Sequence, residues 1–205
     1  MSRSRSRGWF RKHSGDPYVR QARAAKYRAR SAFKLAELDR REKLFRPGQT
    51  IIDLGAAPGS WSQYARERLG GNGRILAIDR LAMDPIEGVD IIQGDLADPG
   101  LVEQCMIWLG EQRADLVISD AAPNLTGINV TDQANMVELA RLLSGMARQT
   151  LKPGGHFLIK LFQGVELDAY VTDLREHFRE IVTRKPQASK DASREVYVLA
   201  RGYNV

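Results

Sequence analysis

The chain has 205 residues, 43% of them hydrophobic and 27% charged, enough for one buried core and short of what a second domain needs. That composition excludes a fibrous or disordered protein. No run approaches the roughly 18 consecutive apolar residues of a spanning helix, and the Arg/Ser-rich N-terminus lacks the apolar stretch of a secretory signal, so a cytoplasmic monomer without a membrane partner is expected. A single cysteine, Cys105, excludes an internal disulfide framework and reads as a small buried hydrophobe. His13, His156 and His177 have neither metal-ligand spacing nor a companion cysteine pair, so no metal is expected. The net charge of +6 is unevenly spread: residues 1–46 hold 15 Lys/Arg against 4 Asp/Glu, a net +11, which leaves −5 for the other 159. A concentrated basic block is the footprint of a polyphosphate partner, and nucleic acid fits it better than a merely solvated tail does.

In chain order, residues 1–16 read as a mobile basic arm and residues 17–205 as one folded domain. The stretch SAFKLAELDRREKL predicts an amphipathic helix with Ser31 as N-cap and an apolar stripe through Phe33, Leu35, Leu38 and Leu44. Beyond Pro47-Gly48, the short apolar runs TIIDLG, RILAID, VDIIQGD, ADLVISD, GHFLIKLF and EVYVLA alternate with helix-length stretches. This is the α/β pattern. Runs such as Ile75 to Ile78 and Leu116 to Ile118 lack polar alternation, as expected for parallel strands covered by helices on both faces. A further run, Ile181 to Lys185, is separated from EVYVLA by only nine polar residues, PQASKDASR. That is too short for a parallel crossover, so the last two strands are expected to be antiparallel neighbours closing one edge of the sheet.

Asp53 to Gly59 reads DLGAAPG, directly after the first strand and before a helix starting near Ser60. Glycines at such a turn let backbone approach a ligand at the carboxyl edge of the sheet. The spacing is not G-x-G-x-x-G, which argues against a pyrophosphate cradle and hence a dinucleotide; a plain structural turn is the alternative. Asp79 ends the second strand, where a carboxylate can accept hydrogen bonds from two ribose hydroxyls, or simply cap a helix. Asp95 follows the third strand, within reach of an adenine amino group, and Asp120 ends the fourth in SDAAPN. Three carboxylates at three consecutive strand ends fit a cationic, ribose-bearing adenosine ligand such as S-adenosylmethionine better than three independent caps would. Among the aromatics, Trp61 is expected to shape that pocket, Trp108 to pack, and Trp9 to lie in the arm. Phe33 and Tyr197 either support their charged neighbours or are core positions.

The order of these features resembles the class I methyltransferases. The segments ARSAFK (Ala29 to Lys34), DLGAAPGSWSQ (Asp53 to Gln63), SDAAPN (Ser119 to Asn124), KLFQG (Lys160 to Gly164) and SREVY (Ser193 to Tyr197) narrow the resemblance to the FtsJ/RrmJ group, the ribosomal RNA large-subunit methyltransferase E type. It runs from about Tyr18 to Gly202. It implies a single-domain Rossmann-like fold with a mostly parallel seven-stranded sheet, an antiparallel edge strand and helices on both faces. It also implies a Lys-Asp-Lys-Glu tetrad for ribose 2′-O-methylation, which falls on Lys34, Asp120, Lys160 and Glu195, and S-adenosylmethionine contacts on Gly59, Trp61, Asp79, Asp95 and Asp120. The implied product is S-adenosylhomocysteine. The implied partner is a uridine of large-subunit ribosomal RNA in the assembled 50S subunit, late in ribosome maturation. Ser60, where relatives often have a second Gly, and Arg80 after Asp79 depart from the pattern without removing a required side chain.

The chemistry accounts for such a set independently. A ribose hydroxyl is a poor nucleophile, so it needs a positioned base and a stabilised oxyanion. A lysine serves as base only where burial or a second ammonium disfavours its charged form. Asp120 is expected to hold Lys160, and Glu195 to pin Lys34 or a ribose hydroxyl. Two other readings share parts of the pattern: a non-catalytic RNA-binding assembly factor, which has no use for the tetrad, and a small-molecule O-methyltransferase, which has no use for the basic block.

Overall fold

Alternation along the strands divides the interior into two layers. In the computed structural model, which describes residues 17–189 and 193–204, the odd and even positions of each central strand enter different hydrophobic clusters. Seven strands carry this division: β1 (Thr50–Leu54), β2 (Arg74–Asp79), β3 (Asp90–Gln93), β4 (Ala114–Ser119), β5 (Leu151–Phe162), β6 (Phe178–Arg184) and β7 (Glu195–Tyr203). Among the described residues six helices accompany them: α1 (Pro17–Ala24), α2 (Ala32–Glu42), α3 (Ser60–Leu69), α4 (Pro99–Leu109), α5 (Asn129–Thr150) and α6 (Val165–Arg175). On one face Ile52, Leu76, Val117, Phe157 and Val198 pack beneath α4, α5 and α6. On the other, Ile51, Ile75, Leu116, Leu158 and Leu199 pack beneath α2 and α3 through Leu35, Leu38, Trp61 and Ala65. None of these ten strand side chains is more than 1% exposed, as the expectation of a sheet covered on both faces requires.

The strand order is β3-β2-β1-β4-β5-β7-β6, with β1 to β5 parallel. The fold is thus the seven-stranded Rossmann-like α/β architecture expected. The structure refines where its antiparallel strand lies. β7 is inserted between β5 and β6 and runs antiparallel to both, so β6 forms the outer edge. The β6–β7 connection is the short one anticipated from the sequence. β5 begins four residues earlier than the GHFLIKLF run, at Leu151, with an irregularity of register against β4 that absorbs Pro153.

Ser31 does stand at the start of α2, but not as a side-chain cap. Its backbone is already helical and makes no side-chain capping bond; its hydroxyl instead meets the Ser60 hydroxyl at 2.8 Å, and its carbonyl accepts the Trp61 indole N–H at 3.0 Å. These contacts fasten the start of α2 to the start of α3. The other end of α2 is fixed by Asp39, 3% exposed, whose carboxylate accepts the Leu44 and Phe45 backbone N–H groups, the Tyr64 hydroxyl and the Arg68 guanidinium at 2.8 to 3.2 Å. The positions of Lys34 and of the whole α2 layer depend on this anchor. Asp39→Ala orphans two buried N–H groups and a guanidinium, and is expected to lower unfolding free energy by about 2–4 kcal/mol. Urea denaturation checks this, and an unchanged midpoint would contradict it.

Candidate active site

The carboxyl ends of the parallel strands converge on one cavity. It has a volume of about 820 Å³, in the range of ordinary small-molecule sites, and its lining includes Gly55, Asp79, Asp95, Asp120, Asn135 and Glu138. Asp79, Asp95 and Asp120 therefore meet at one site, as their strand-end positions predict. Asp79 is no helix cap: its two carboxylate oxygens accept the backbone N–H of Ala57 at 2.9 Å and of Leu81 at 2.8 Å. It thereby ties the turn after β1 to the end of β2, and two of a carboxylate's roughly four acceptor positions remain. Asp95 accepts the Ala97 N–H at 3.0 Å.

The turn after β1 is drawn close to the end of β4. Gly55 has φ +72°, and a Cβ there would stand 2.5 Å from the Cβ of Ala121, so only glycine closes this approach. Gly59, at φ +102°, is packed instead against Ile86 and Arg28. Arg28 spans this region as a clamp, its guanidinium donating to the carbonyls of Pro58, Asp84 and Pro85 at 2.7 to 3.0 Å. Neither Gly59 nor Trp61 lines the cavity. Trp61 is 2% exposed, and its ring lies 5.8 Å from that of Tyr197. Asn135 and Glu138, which do line the cavity, come from α5 and carry no signal in the sequence.

Beside the cavity lies a buried cluster of charges. Lys34 donates to Glu195 at 2.6 Å; Lys160 donates to the Asp120 backbone carbonyl at 2.5 Å and lies 3.2 Å from the Asp120 carboxylate. Lys34 and Lys160 are 8% and 5% exposed. The β5–β7 register pairs Lys160 with Tyr197, and alternation places Glu195 on the same face two residues earlier. Tyr197 joins the two ion pairs: its hydroxyl donates to Asp120 at 2.8 Å while its ring lies 5.8 Å beneath the Lys34 ammonium. Burial, and then the neighbouring Asp120 and Glu195 carboxylates, hold the Tyr197 phenol well above its usual pKa, so it stays a donor. Burial works to raise the Glu195 carboxyl, but the hydrogen bond from Lys34 and the charges of Lys34 and Lys160 outweigh it and hold Glu195 below its usual value. The structure thus brings Lys34, Asp120, Lys160 and Glu195 together, paired as the sequence suggests, and gives Tyr197 a connecting role that the sequence left undecided. Phe33 has no part in this; it packs on Tyr18 and Tyr27.

The β6–β7 connection is held against α2 and the segment before it. Glu37 accepts the backbone N–H groups of Gln187 and Ala188 at 2.9 and 3.2 Å, and Arg30 donates to the Ala188 carbonyl. Trp108 serves packing, as expected, under the Arg74 guanidinium. The residue 1–16 arm and Trp9 lie outside the described residues. Among the described residues no group of three or more His, Cys, Asp or Glu is arranged to hold a metal, and no helix is long and apolar enough to cross a membrane.

Asp53 has a role that the sequence did not suggest. It is 1% exposed and accepts the Ser62 hydroxyl at 2.6 Å. Burial, reinforced by the Asp120 and Asp79 charges, pushes its carboxyl up to about 7 against the opposing Ser62 hydrogen bond. A carboxyl whose pKa is raised on folding favours the native state while protonated, so its contribution is present below the unfolded value near 4 and is lost as pH rises toward 7. The stability of the native chain relative to Asp53→Asn is therefore expected to fall between pH 4 and 7, by at most about 1.4 kcal/mol per pH unit. Urea titrations at pH 5 and 8 measure it; a difference that grows with pH would contradict the assignment.

Comparison with known proteins places this geometry. A family model described as FtsJ-like methyltransferase matches residues 27–203. A curated protein of Chromohalobacter salexigens, named ribosomal RNA large subunit methyltransferase E, is 48% identical over 97% of this chain and 95% of its own. One of the same name from Marinobacter nauticus is 46% identical over the full length of both. Among solved structures, a ribosomal RNA methyltransferase, putative by its own description, from Plasmodium falciparum superposes with a TM-score of 0.80 at 30% identity, covering 86% of this chain and 98% of that one. Human methyltransferase-like protein 13 in complex with SAH shares the fold, with a TM-score of 0.58 at 14% identity over 82% and 78% of the two chains.

Proposed function

The chain belongs to the FtsJ-like methyltransferase family, and on that premise we propose that it transfers a methyl group from S-adenosylmethionine to the ribose 2′-hydroxyl of a uridine in large-subunit ribosomal RNA, on the assembled 50S subunit in the cytoplasm. The observation that carries this reading is the adjacency of two structures on one sheet edge: a carboxylate-lined cavity and a buried cluster of two lysines, two acids and a tyrosine, with Asp120 belonging to both.

The cavity fits the methyl donor. Its volume suffices, and acids stand at the ends of β2 and β4 and just beyond β3, suiting a ligand with ribose hydroxyls, an adenine amine and a sulfonium charge. Asp79 would hold the ribose, Asp95 the adenine amino group, and Asp120 would face the cationic end. S-adenosylmethionine supplies, when bound, an electrophilic methyl carbon whose transfer leaves a neutral thioether.

The cluster prepares the acceptor. In its amine form Lys160 has two N–H donors; one goes to the Asp120 backbone carbonyl, and the Asp120 carboxylate stands 3.2 Å from Nζ. Its lone pair is then left for the proton of the ribose hydroxyl, which moves to Lys160 Nζ as the hydroxyl oxygen attacks. Lys34 keeps one N–H on Glu195 and has others to stabilise charge developing on that oxygen. Tyr197 fixes Asp120 and so fixes Lys160. Such positioning contributes much of the rate, since effective molarities for aligned groups correspond to about 7–11 kcal/mol. The basic residues Arg20, Arg23 and Lys26 on and just after α1 are exposed and available to phosphates, whereas Arg28 and Arg30 are engaged with the fold.

Two substitutions separate the two halves of the site. Lys160→Met keeps the buried volume and lies outside the cavity, so the S-adenosylmethionine dissociation constant is expected to hold while methyl transfer to ribosomal RNA falls about 10²- to 10⁴-fold. Asp79→Ala is expected to raise that dissociation constant at least about tenfold, the effect of one charged hydrogen-bond acceptor. Calorimetric titration and single-turnover transfer measure both. Normal turnover in Lys160→Met would remove Lys160 from the role of base.

A further inference from the structure

The loop between β4 and α5, with the first turn of α5, carries an apolar crown that neither the fold nor the donor cavity uses. Of five large hydrophobic residues strongly exposed among the described residues, three fall within six positions here: Leu125, Ile128 and Val130, at 63%, 63% and 78% exposure. The loop is not slack. The Asp132 carboxylate accepts the Thr126 N–H, the Thr126 hydroxyl and the Gly127 N–H at 2.7, 2.8 and 3.1 Å, and the Ile128 N–H donates to the Thr126 hydroxyl at 3.1 Å. Those hydrogen bonds, led by the one from the Thr126 backbone, hold the Asp132 carboxyl below its usual value, so the brace persists at neutral pH. A turn built this way holds its apolar side chains outward in fixed positions.

Its location is equally specific. The segment follows Asp120 directly, and Ala121 to Asn124 form part of the cavity wall. On the other side, the first turns of α5 pack against the end of β5: a Cβ at Gly164 would stand 2.5 Å from the Gln133 side chain, and Gly164 lies four residues beyond Lys160. The crown therefore rises at the carboxyl ends of the two strands that bear Asp120 and Lys160. A nucleoside whose 2′-hydroxyl reached Lys160 would therefore lie on the same sheet edge as this loop.

We propose that Leu125, Ile128 and Val130 form the docking face for the unstacked base of the target nucleotide. The proposal rests on the reading of the site as a ribose methyltransferase. An enzyme acting on a nucleotide within structured RNA must draw it out of its stack, and the extruded base is held by apolar contact with its faces. Phosphates would be served by lysine and arginine, not by aliphatic side chains. A second copy of the chain is a poor occupant, because three side chains fall far short of the roughly 800 Å² per partner of a specific protein interface. Rigid presentation spares the ordering entropy that a floppy loop would lose on binding.

The test uses large ribosomal subunits from cells lacking the protein, with the full-length wild type and the variant Leu125→Ser/Ile128→Ser/Val130→Ser. The three positions are exposed, so the thermal midpoint should move little. KM for subunits is expected to rise roughly tenfold, with the dissociation constant for S-adenosylmethionine unchanged. In parallel, subunits containing 4-thiouridine are photocrosslinked to the wild type, and crosslinks are expected within residues 125–130. A wild-type KM in the variant, or crosslinks that all fall elsewhere, overturns the docking face while leaving the methyltransferase reading standing. A changed cofactor affinity overturns it by assigning the loop to the donor site. A wild type that methylates no RNA removes both.

Discussion

The antiparallel pairing of β5 with β7 is the constraint on which the site depends. It sets Lys160 opposite Tyr197 and carries Glu195 to the same face, under a helix that supplies Lys34. Buried charges are tolerated only when paired and hydrogen-bonded, and here each lysine has its own acid. A buried ion pair contributes little net stability, since desolvation offsets much of the attraction. Two such pairs bridged by a tyrosine in an otherwise apolar layer are better explained by the proposed action on a ribose hydroxyl than by what they do for the fold. The stabilisation comes instead from the aliphatic rows on both faces of the sheet.

Asp120 joins the two halves of the chemistry. Its place at the end of β4 makes it part of the cavity wall, and its carbonyl and carboxylate also hold Lys160 and Tyr197. In the proposed reaction donor and acceptor are thus positioned from one residue at the end of one central strand, which is a more rigid arrangement than two separately mobile loops could provide. The surrounding supports serve the same end. Asp79 and Gly55 fix the turn after β1, Arg28 clamps that turn to the segment after β2, and Glu37 holds the β6–β7 connection against α2.

Much of this was legible in the sequence because it is local. Apolar runs gave the strands, the DLGAAPG turn gave the cavity floor, and acids at or just beyond strand ends gave the residues that line it. The order of lysines and acids, read through a family resemblance, gave the cluster. What escaped depends on long-range register or on partners distant in sequence. Tyr197 could be assigned only once β7 was seen inserted beside β5, since nothing local distinguishes a core tyrosine from a connecting one. Ser31 looks like a cap, but the nearby start of α3 offers its hydroxyl another partner in Ser60. Gly59 and Trp61 belong to the right motif, but their neighbours Arg28, Ile86 and Tyr197 come from distant segments and could not be read locally. Asn135 and Glu138 reach the cavity from α5, and the apolar crown became visible only as exposure, which a sequence does not show.

The most direct test of the central claim is the identity of the methylated nucleoside. Ribosomal subunits from cells lacking the protein are incubated with it and with S-adenosylmethionine carrying a labelled methyl group, and the RNA is digested to nucleosides and resolved. The account predicts label in 2′-O-methyluridine, on a ribose that resists alkaline cleavage. Label on a base, or none in RNA despite bound cofactor, would contradict it.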